Sequence, residues 1–294
     1  MANSAANEST KKYASKSGRE RLSRTLIYIF LTLLCVIWMI PFVYLIFQAF
    51  RGESRSMVTY AVPKQWSFEN FRILFKETNF LHWYKNTLII AAFNAVLQTV
   101  IVLSVAYSLS RMRFKGRKFL MNLMLVLGMF PGFLSMIATY FILKLVGLTS
   151  ENSVPGLILV YAASSGMGYY IAKGFFDTIP KSLDEAARID GASRSRVFFR
   201  IIMPMAKPII IYTIMMAFIA PWGDFMYASL ITFGHEEAYN VAVGLYKWLD
   251  KEHIHNYFTV FCAGGLFVSV PVTVLFMALQ RYYVEGVTGG AVKG

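Results

Sequence analysis

Charge is scarce in this chain. Only 15% of its 294 residues are charged, and Asp and Glu together number 16. With a mean hydropathy of +0.51, that composition excludes a disordered chain and argues against a soluble globular one. Histidine and cysteine are also rare, at four and two. Cys35 and Cys262 lie in apolar runs without zinc-ligand or redox spacing, so they read as small apolar residues. His235-Glu236-Glu237 begins like a zinc-protease helix, but Tyr239 stands where the second ligand is needed. His253 and His255, near Asp250 and Glu252, read as solvated loop residues. No GxSxG elbow occurs, and no Gly-Lys dipeptide, so there is no phosphate-binding P-loop. The chain is therefore not expected to be an enzyme, and no metal or cofactor is expected on it.

What it does have is apolar length: 56% of its residues are hydrophobic. Six runs, approximately 25–47, 87–110, 119–143, 154–175, 207–232 and 258–280, are each long enough to cross about 30 Å of hydrocarbon as a helix. The expected fold class is an all-α integral membrane protein with six transmembrane helices. Pro41, Pro131, Pro155, Pro221 and Pro271 fall in or beside these runs, where kinks are tolerated if neighbours satisfy the freed carbonyls. The net charge of +13 points to basic cytoplasmic loops rather than to a nucleic-acid partner. With the N-terminus inside, the inner segments hold 20 of the 29 Lys and Arg residues. The bias places both termini in the cytoplasm, with Arg111–Lys118 as its sharpest element. Residues 1–24 read as a flexible polar tail, followed by a retained first span rather than a cleaved signal. The 48–86 segment is the longest outer loop; its Tyr60, Trp66, Phe68, Phe71 and Phe75 suit packing over the outer face or contact with a partner.

Between the fourth and fifth runs lies EAARIDGASRSRVFFRIIMP, Glu185 to Pro204. Ser182 and Glu185 suggest a capping box, Gly191 a helix stop, and Ser193 the start of a second helix that runs to Pro204. This is a helix-turn-helix at a membrane surface. Glu185, Ala186, Ala187, Gly191, Ile201 and Pro204 resemble, at the same spacing, the EAA loop of permease subunits of bacterial ABC importers. Met203 stands where that family usually has Leu. In the family this loop is the coupling helix, which docks on a cytoplasmic ATPase subunit. The resemblance implies a coupling role for Glu185, Ala186, Ala187, Asp190, Gly191, Ile201 and Pro204.

The tail Gly290–Gly294 resembles the C-terminus of the shorter permease of maltose-type importers, and Arg188–Ser193 is typical of carbohydrate permeases. The resemblance divides the chain into a cytoplasmic tail (1–24), a transmembrane permease domain (25–283, with the loop at 182–204) and a C-terminal tail (284–294). It implies import of oligosaccharides through a bacterial inner membrane by alternating access. The implied partners are the lipid bilayer, a second permease, two ATPase subunits that bind ATP and Mg, and an external solute-binding protein. Val292, Lys293 and Gly294 are expected to contact the ATPase. Trp222 and Asp224 are candidates for the substrate pathway, with helix capping as the competing role for Asp224. Tyr246 and Trp248 are candidates for binding-protein contact, or alternatively for interfacial anchoring. A non-sugar importer remains the main alternative. A secondary carrier would need more intramembrane ionisable groups than the lone Asp224, and a membrane-embedded enzyme would need a cluster of His or carboxylates at one depth.

Overall fold

The computed structural model describes residues 2–129, 132–164 and 166–291. They are mostly helical and, apart from one isolated bridge between Arg51 and Trp66, contain no β pairing. The order is α1 (Ala2–Ala49), α2 (Glu69–Lys76), α3 (Phe80–Arg111), α4 (Arg117–Met129), α5 (Gly132–Leu145), α6 (Ser153–Ala163) and α7 (Gly166–Thr178). Then come α8 (Ser182–Ile189), α9 (Arg194–Val197), a π-turn (Phe198–Ile202), α10 (Met203–Met205), α11 (Lys207–Gly223), α12 (Met226–Thr232), α13 (Val241–Lys247) and α14 (Ile254–Ala291).

Three helices are long and apolar enough to cross a membrane unbroken: Ser23–Ala49 of α1, α3, and Ile254–Tyr282 of α14. The other expected runs are interrupted. The third is α4 and α5, bent by 103°; the fourth is α6 and α7, bent by 41°. The number of possible spans rises to six if each bent pair forms one span. The fifth run was expected to be continuous over 207–232. Instead α11 stops at Gly223, Asp224 is extended, and α12 follows. Pro131, a kink candidate in the third run, lies outside the described residues. The expected flexible tail is instead helical from Ala2, continuous with the first run. Residues 2–24 contain no proline and many good helix formers, so nothing local stops the helix.

Two apolar clusters sit toward opposite ends of α3. The larger joins the N-terminal half of α3 (Phe80, Trp83, Ile90) to Trp222, Tyr239, Trp248 and Val260. The smaller joins Val102, Leu103 and Ala106 to Phe176, Val197, Ile202 and Ile209. Between them α3 buries the polar residues Asn94 and Thr99. Asn94 has a specific task there. Pro221 has no N–H to donate, so the carbonyl of Ala217 one turn earlier loses its helical partner. Asn94 Nδ2 donates to that oxygen at 2.7 Å. Much of α1 touches nothing else in the chain; Leu26 is 57% exposed and Trp38 69%.

Candidate functional site

The segment 182–205 forms the expected helix-turn-helix. α8 ends in a full Schellman turn: Ala192 N donates to Ala187 O at 2.9 Å and Gly191 N to Arg188 O at 3.1 Å. Gly191 carries φ +79°, a conformation that a side chain would strain. Ser193 caps α9 by accepting from Arg196 N at 3.3 Å. The capping box is not formed. Lys181 is the residue before α8, and Ser182 is already inside the helix, too late in sequence to serve the first free amides. At Ala206 the chain turns, so that Arg194–Met205 meets α11 at 80°. The loop thus lies across the end of α11 rather than extending it.

One face of this unit packs and the other is bare. Val197 and Ile202 are buried in the smaller cluster, and Ala187 and Ile201 lean on it. Glu185, Ala186, Asp190, Gly191 and Pro204 are exposed. Two residues that the motif did not single out stand out most: Ile189 is 87% exposed and Phe199 67%. Apolar side chains that bare in a loop otherwise rich in charge suit contact with another molecule.

Arg111, the last residue of α3, has a structural role that its place in the basic Arg111–Lys118 run does not reveal. Its side chain is 4% exposed. Nη2 donates to the carbonyls of Phe176 (2.9 Å) and Ile179 (2.7 Å), satisfying the end of α7. Nη1 lies 3.5 Å from Asp184 Oδ2 of α8, so one guanidinium joins three elements. The pairing is incomplete: Arg111 Nε and Nη1 and Asp184 Oδ1 are buried without hydrogen-bond partners. Next to it Ser110 Oγ and Lys173 Nζ both hold Asp177, at 2.6 and 2.5 Å. The sequence signal was present, a basic residue in the last turn of a span, but its counter-ion is 73 residues away.

At the other end, Asp224 sits in the break between α11 and α12. Oδ1 accepts from Tyr227 N at 3.1 Å, and Oδ2 accepts from Tyr161 Oη at 2.5 Å. Its geometry is therefore that of a helix-orienting group, the capping role foreseen as the alternative. Asn240 Nδ2 donates to the carbonyls of Pro221 (3.1 Å) and Asp224 (2.7 Å), while its Oδ1 accepts from Val243 N at 2.9 Å. Trp222 is 5% exposed and packs on Tyr84 and Phe218, so it offers no free ring face for a sugar here. The expected contact pair on the outer loop divides. Tyr246 is 53% exposed, but Trp248 is 7% exposed and stacked on Tyr257 at 5.6 Å. Trp248 is thus packed into the larger cluster. Val292, Lys293 and Gly294 lie outside the described residues. Among the described residues, no group of three or more His, Cys, Asp or Glu is placed to hold a metal.

Residues 98–289, which include the whole helix-turn-helix, match the family of binding-protein-dependent transport system inner membrane components. The chain belongs to that family. It is 36% identical to the galactooligosaccharides transport system permease protein GanQ of Bacillus subtilis, over 91% of this chain and 94% of that one. It is 35% identical to the maltodextrin transport system permease protein MdxG of the same organism, over 93% and 97%. The fold is also that of a solved bacterial ABC transporter involved in alginate import, with a TM-score of 0.73 at 20% identity, covering 90% of this chain and 97% of that one. The bent pairs and long helices described above are thus arranged as in a known ABC transporter chain.

Proposed function

We propose that this permease is one half of the translocation pathway of an ATP-driven importer for oligosaccharides. The observation that carries the reading is the near full-length likeness to permeases of galactooligosaccharide and maltodextrin systems. In this reading all six runs cross the bacterial inner membrane, with both termini and the 182–204 loop in the cytoplasm. ATP and Mg are bound by two ATPase subunits, not by this chain. A second permease completes the pathway, and an external binding protein delivers the sugar to the end bearing Tyr246.

The loop geometry supports a coupling role. The Schellman turn at Gly191 fixes the angle between α8 and α9, and Ile189 and Phe199 present an apolar surface for an ATPase groove. Movement of a docked α8 is passed to α3 and α7 through Asp184 and Arg111. Closure of the ATPase dimer then rocks the bundle open to the outside, and hydrolysis resets it. The transition is a mechanical one between two packed arrangements, so the chain's contribution lies in linkage rather than in catalysis.

The test is ATP-driven uptake by the reconstituted importer. Gly191→Pro puts a ring that fixes φ near −65° where +79° is needed. The variant is expected to insert and to pair with its partner permease, yet to lose uptake and substrate-stimulated ATP hydrolysis. Normal uptake by this variant with the ATPase bound would end the coupling reading. Screening the co-purified binding protein against oligosaccharides tests the substrate. Failure of every sugar, alongside binding of an amino acid or phosphate, would leave an importer but remove the carbohydrate assignment.

A further inference from the structure

Beside the coupling loop lies a cleft of about 600 Å³ between the end of α3, the start of α4, and α8 and α9. Its lining is strongly one-sided in charge. Arg111, Arg113, Arg117, Lys181, Arg188 and Arg194 face only Asp184 and Glu185. Asp184 is already taken by Arg111, and among the described residues the other five cations have no ion pair. At the cleft Arg111 is a buried guanidinium whose Nε and Nη1 lack hydrogen-bond partners. A concave site with an excess of four positive charges calls for an anion.

The cleft does not end in water alone. Arg113, Phe114 and Arg117 also line a second crevice, again about 600 Å³, which continues past Phe119 and Met121 along α4. Phe119 is 68% exposed, and Leu123, Val126 and Leu127 carry the same bare apolar surface along the helix. A cationic chamber adjoining an open, mostly apolar crevice, with Lys118 at its edge, is amphipathic in the sense that a phospholipid is. Basic pockets between membrane helices are suited to anionic headgroups.

We propose that this cleft binds an anionic phospholipid of the bilayer. The phosphate sits among Arg113, Arg117, Lys181 and Arg188, and one acyl chain lies in the crevice beside Phe114, Phe119 and Met121. The lipid would brace α4 against α8, so the membrane itself would help to hold the helix-turn-helix in place. The site requires that the chain span a bilayer; it does not require that the loop couple to an ATPase or that the substrate be a sugar.

The experiment uses the full chain, purified in detergent and delipidated, with phosphatidylglycerol, phosphatidylcholine and inorganic phosphate as separate additions. Bound lipid is counted by native mass spectrometry and stability is followed by thermal unfolding. Phosphatidylglycerol is expected to bind and to raise the unfolding temperature, and its effect to fade with added NaCl. Arg113→Gln with Arg117→Gln should weaken it about 25-fold, roughly fivefold for each cation removed. Arg113→Lys with Arg117→Lys should keep most of the binding, which controls for misfolding of the Gln pair. Equal protection by phosphatidylcholine would mean an apolar crevice without a headgroup site, and protection by inorganic phosphate alone would mean a free-anion site; either overturns the proposal. So would a Gln pair that keeps its lipid but loses a co-purified ATPase, since the cleft would then serve that protein.

Discussion

The two ends of the bundle are built on different principles. At the end bearing Trp83, Trp222 and Trp248 the chain folds back on itself. Asn86 Nδ2 donates to the carbonyls of Glu237 (2.8 Å) and Tyr239 (3.0 Å), and Thr87 Oγ1 accepts from Val241 N at 2.8 Å. Trp83 Nε1 donates to Glu236 O at 3.0 Å, and its ring packs against Trp248 and Tyr239. The segment from His235 to Lys247 is thereby clamped to α3. At the opposite end the core is smaller, charged side chains dominate, and Ile189 and Phe199 are left bare. One end satisfies its own groups, and the other keeps its surface open. Bare apolar side chains among charged ones suit contact with another molecule.

That contrast is most sharply broken at Arg111, which carries the linkage of the basic end. Arg111→Ala removes the donors of two carbonyls and leaves Asp184 without its cation. The expected loss is about 3–5 kcal/mol, because a partly buried charge is left uncompensated. Asp184→Asn should cost less, since the bonds from Arg111 to Phe176 and Ile179 survive. Thermal unfolding of the purified variants in one detergent ranks them. If Arg111→Ala proves as harmless as Lys251→Ala on an exposed turn, this end is not held by the guanidinium.

The matching test of the aromatic end is Gly244→Ala. An added Cβ would lie 2.0 Å from Trp83 Cε3, so the indole must move or α13 must lift. Overpacking of this kind costs about 1–3 kcal/mol. Quenched or shifted indole fluorescence should accompany the loss, because Trp83 and Trp248 separate. An unchanged spectrum and melting point would show that this end is softer than its hydrogen bonds suggest.

The legibility of these two ends in the sequence also differs. The basic end was readable because its information is local: Gly191, Ser193 and Pro204 act on residues within a turn or two, and the EAA spacing is a short-range pattern. Arg111 escaped that reading because its partners at Phe176, Ile179 and Asp184 are distant in sequence. At the aromatic end Asp224 was visible as a lone intramembrane acid, but its tie to Tyr161 depends on tertiary packing. The burial of Trp248 was hidden for the same reason. Its outer-loop setting favoured exposure, and only the fold brings Tyr257 and Trp83 against it. The breaks in the third to fifth runs follow the same rule: hydropathy sets how much chain is apolar, while bends come from Gly, Pro and the contacts that tolerate them.

Between the ends, Asn94 offers a smaller test of whether the proline break belongs to the rigid half. Asn94→Leu removes the donor that serves Ala217 O. Hydrogen bonds within membrane bundles contribute about 1 kcal/mol, so a loss of that order is expected. Replacing Pro221 by Ala restores the helical donor to Ala217, and in that background Asn94→Leu should cost clearly less. Equal costs in both backgrounds would separate Asn94 from the proline.

The smallest effect concerns pH and is confined to the aromatic end. Burial pushes the Glu53 carboxyl up. The amides of Lys64, of Glu53 itself and of Gln65, together with the Arg51 guanidinium, outweigh that and lower it to about 2 from 4.5. A carboxyl lowered on folding lends stability that is complete above its unfolded value and is lost as pH falls through the folded one. The loop from Arg51 to Gln65 should therefore loosen between about pH 4.5 and 2, as Glu53 releases Lys64 N (2.9 Å) and Gln65 N (3.1 Å). Hydrogen exchange at those two amides reports it directly. Glu53→Gln should exchange faster at pH 7, and its protection, after correction for the intrinsic pH dependence of exchange, should not change further across that window. The amides of α8, at the other end of the bundle, serve as the comparison. Acid-driven loosening of both ends together would mean that they are coupled more tightly than their separate cores imply.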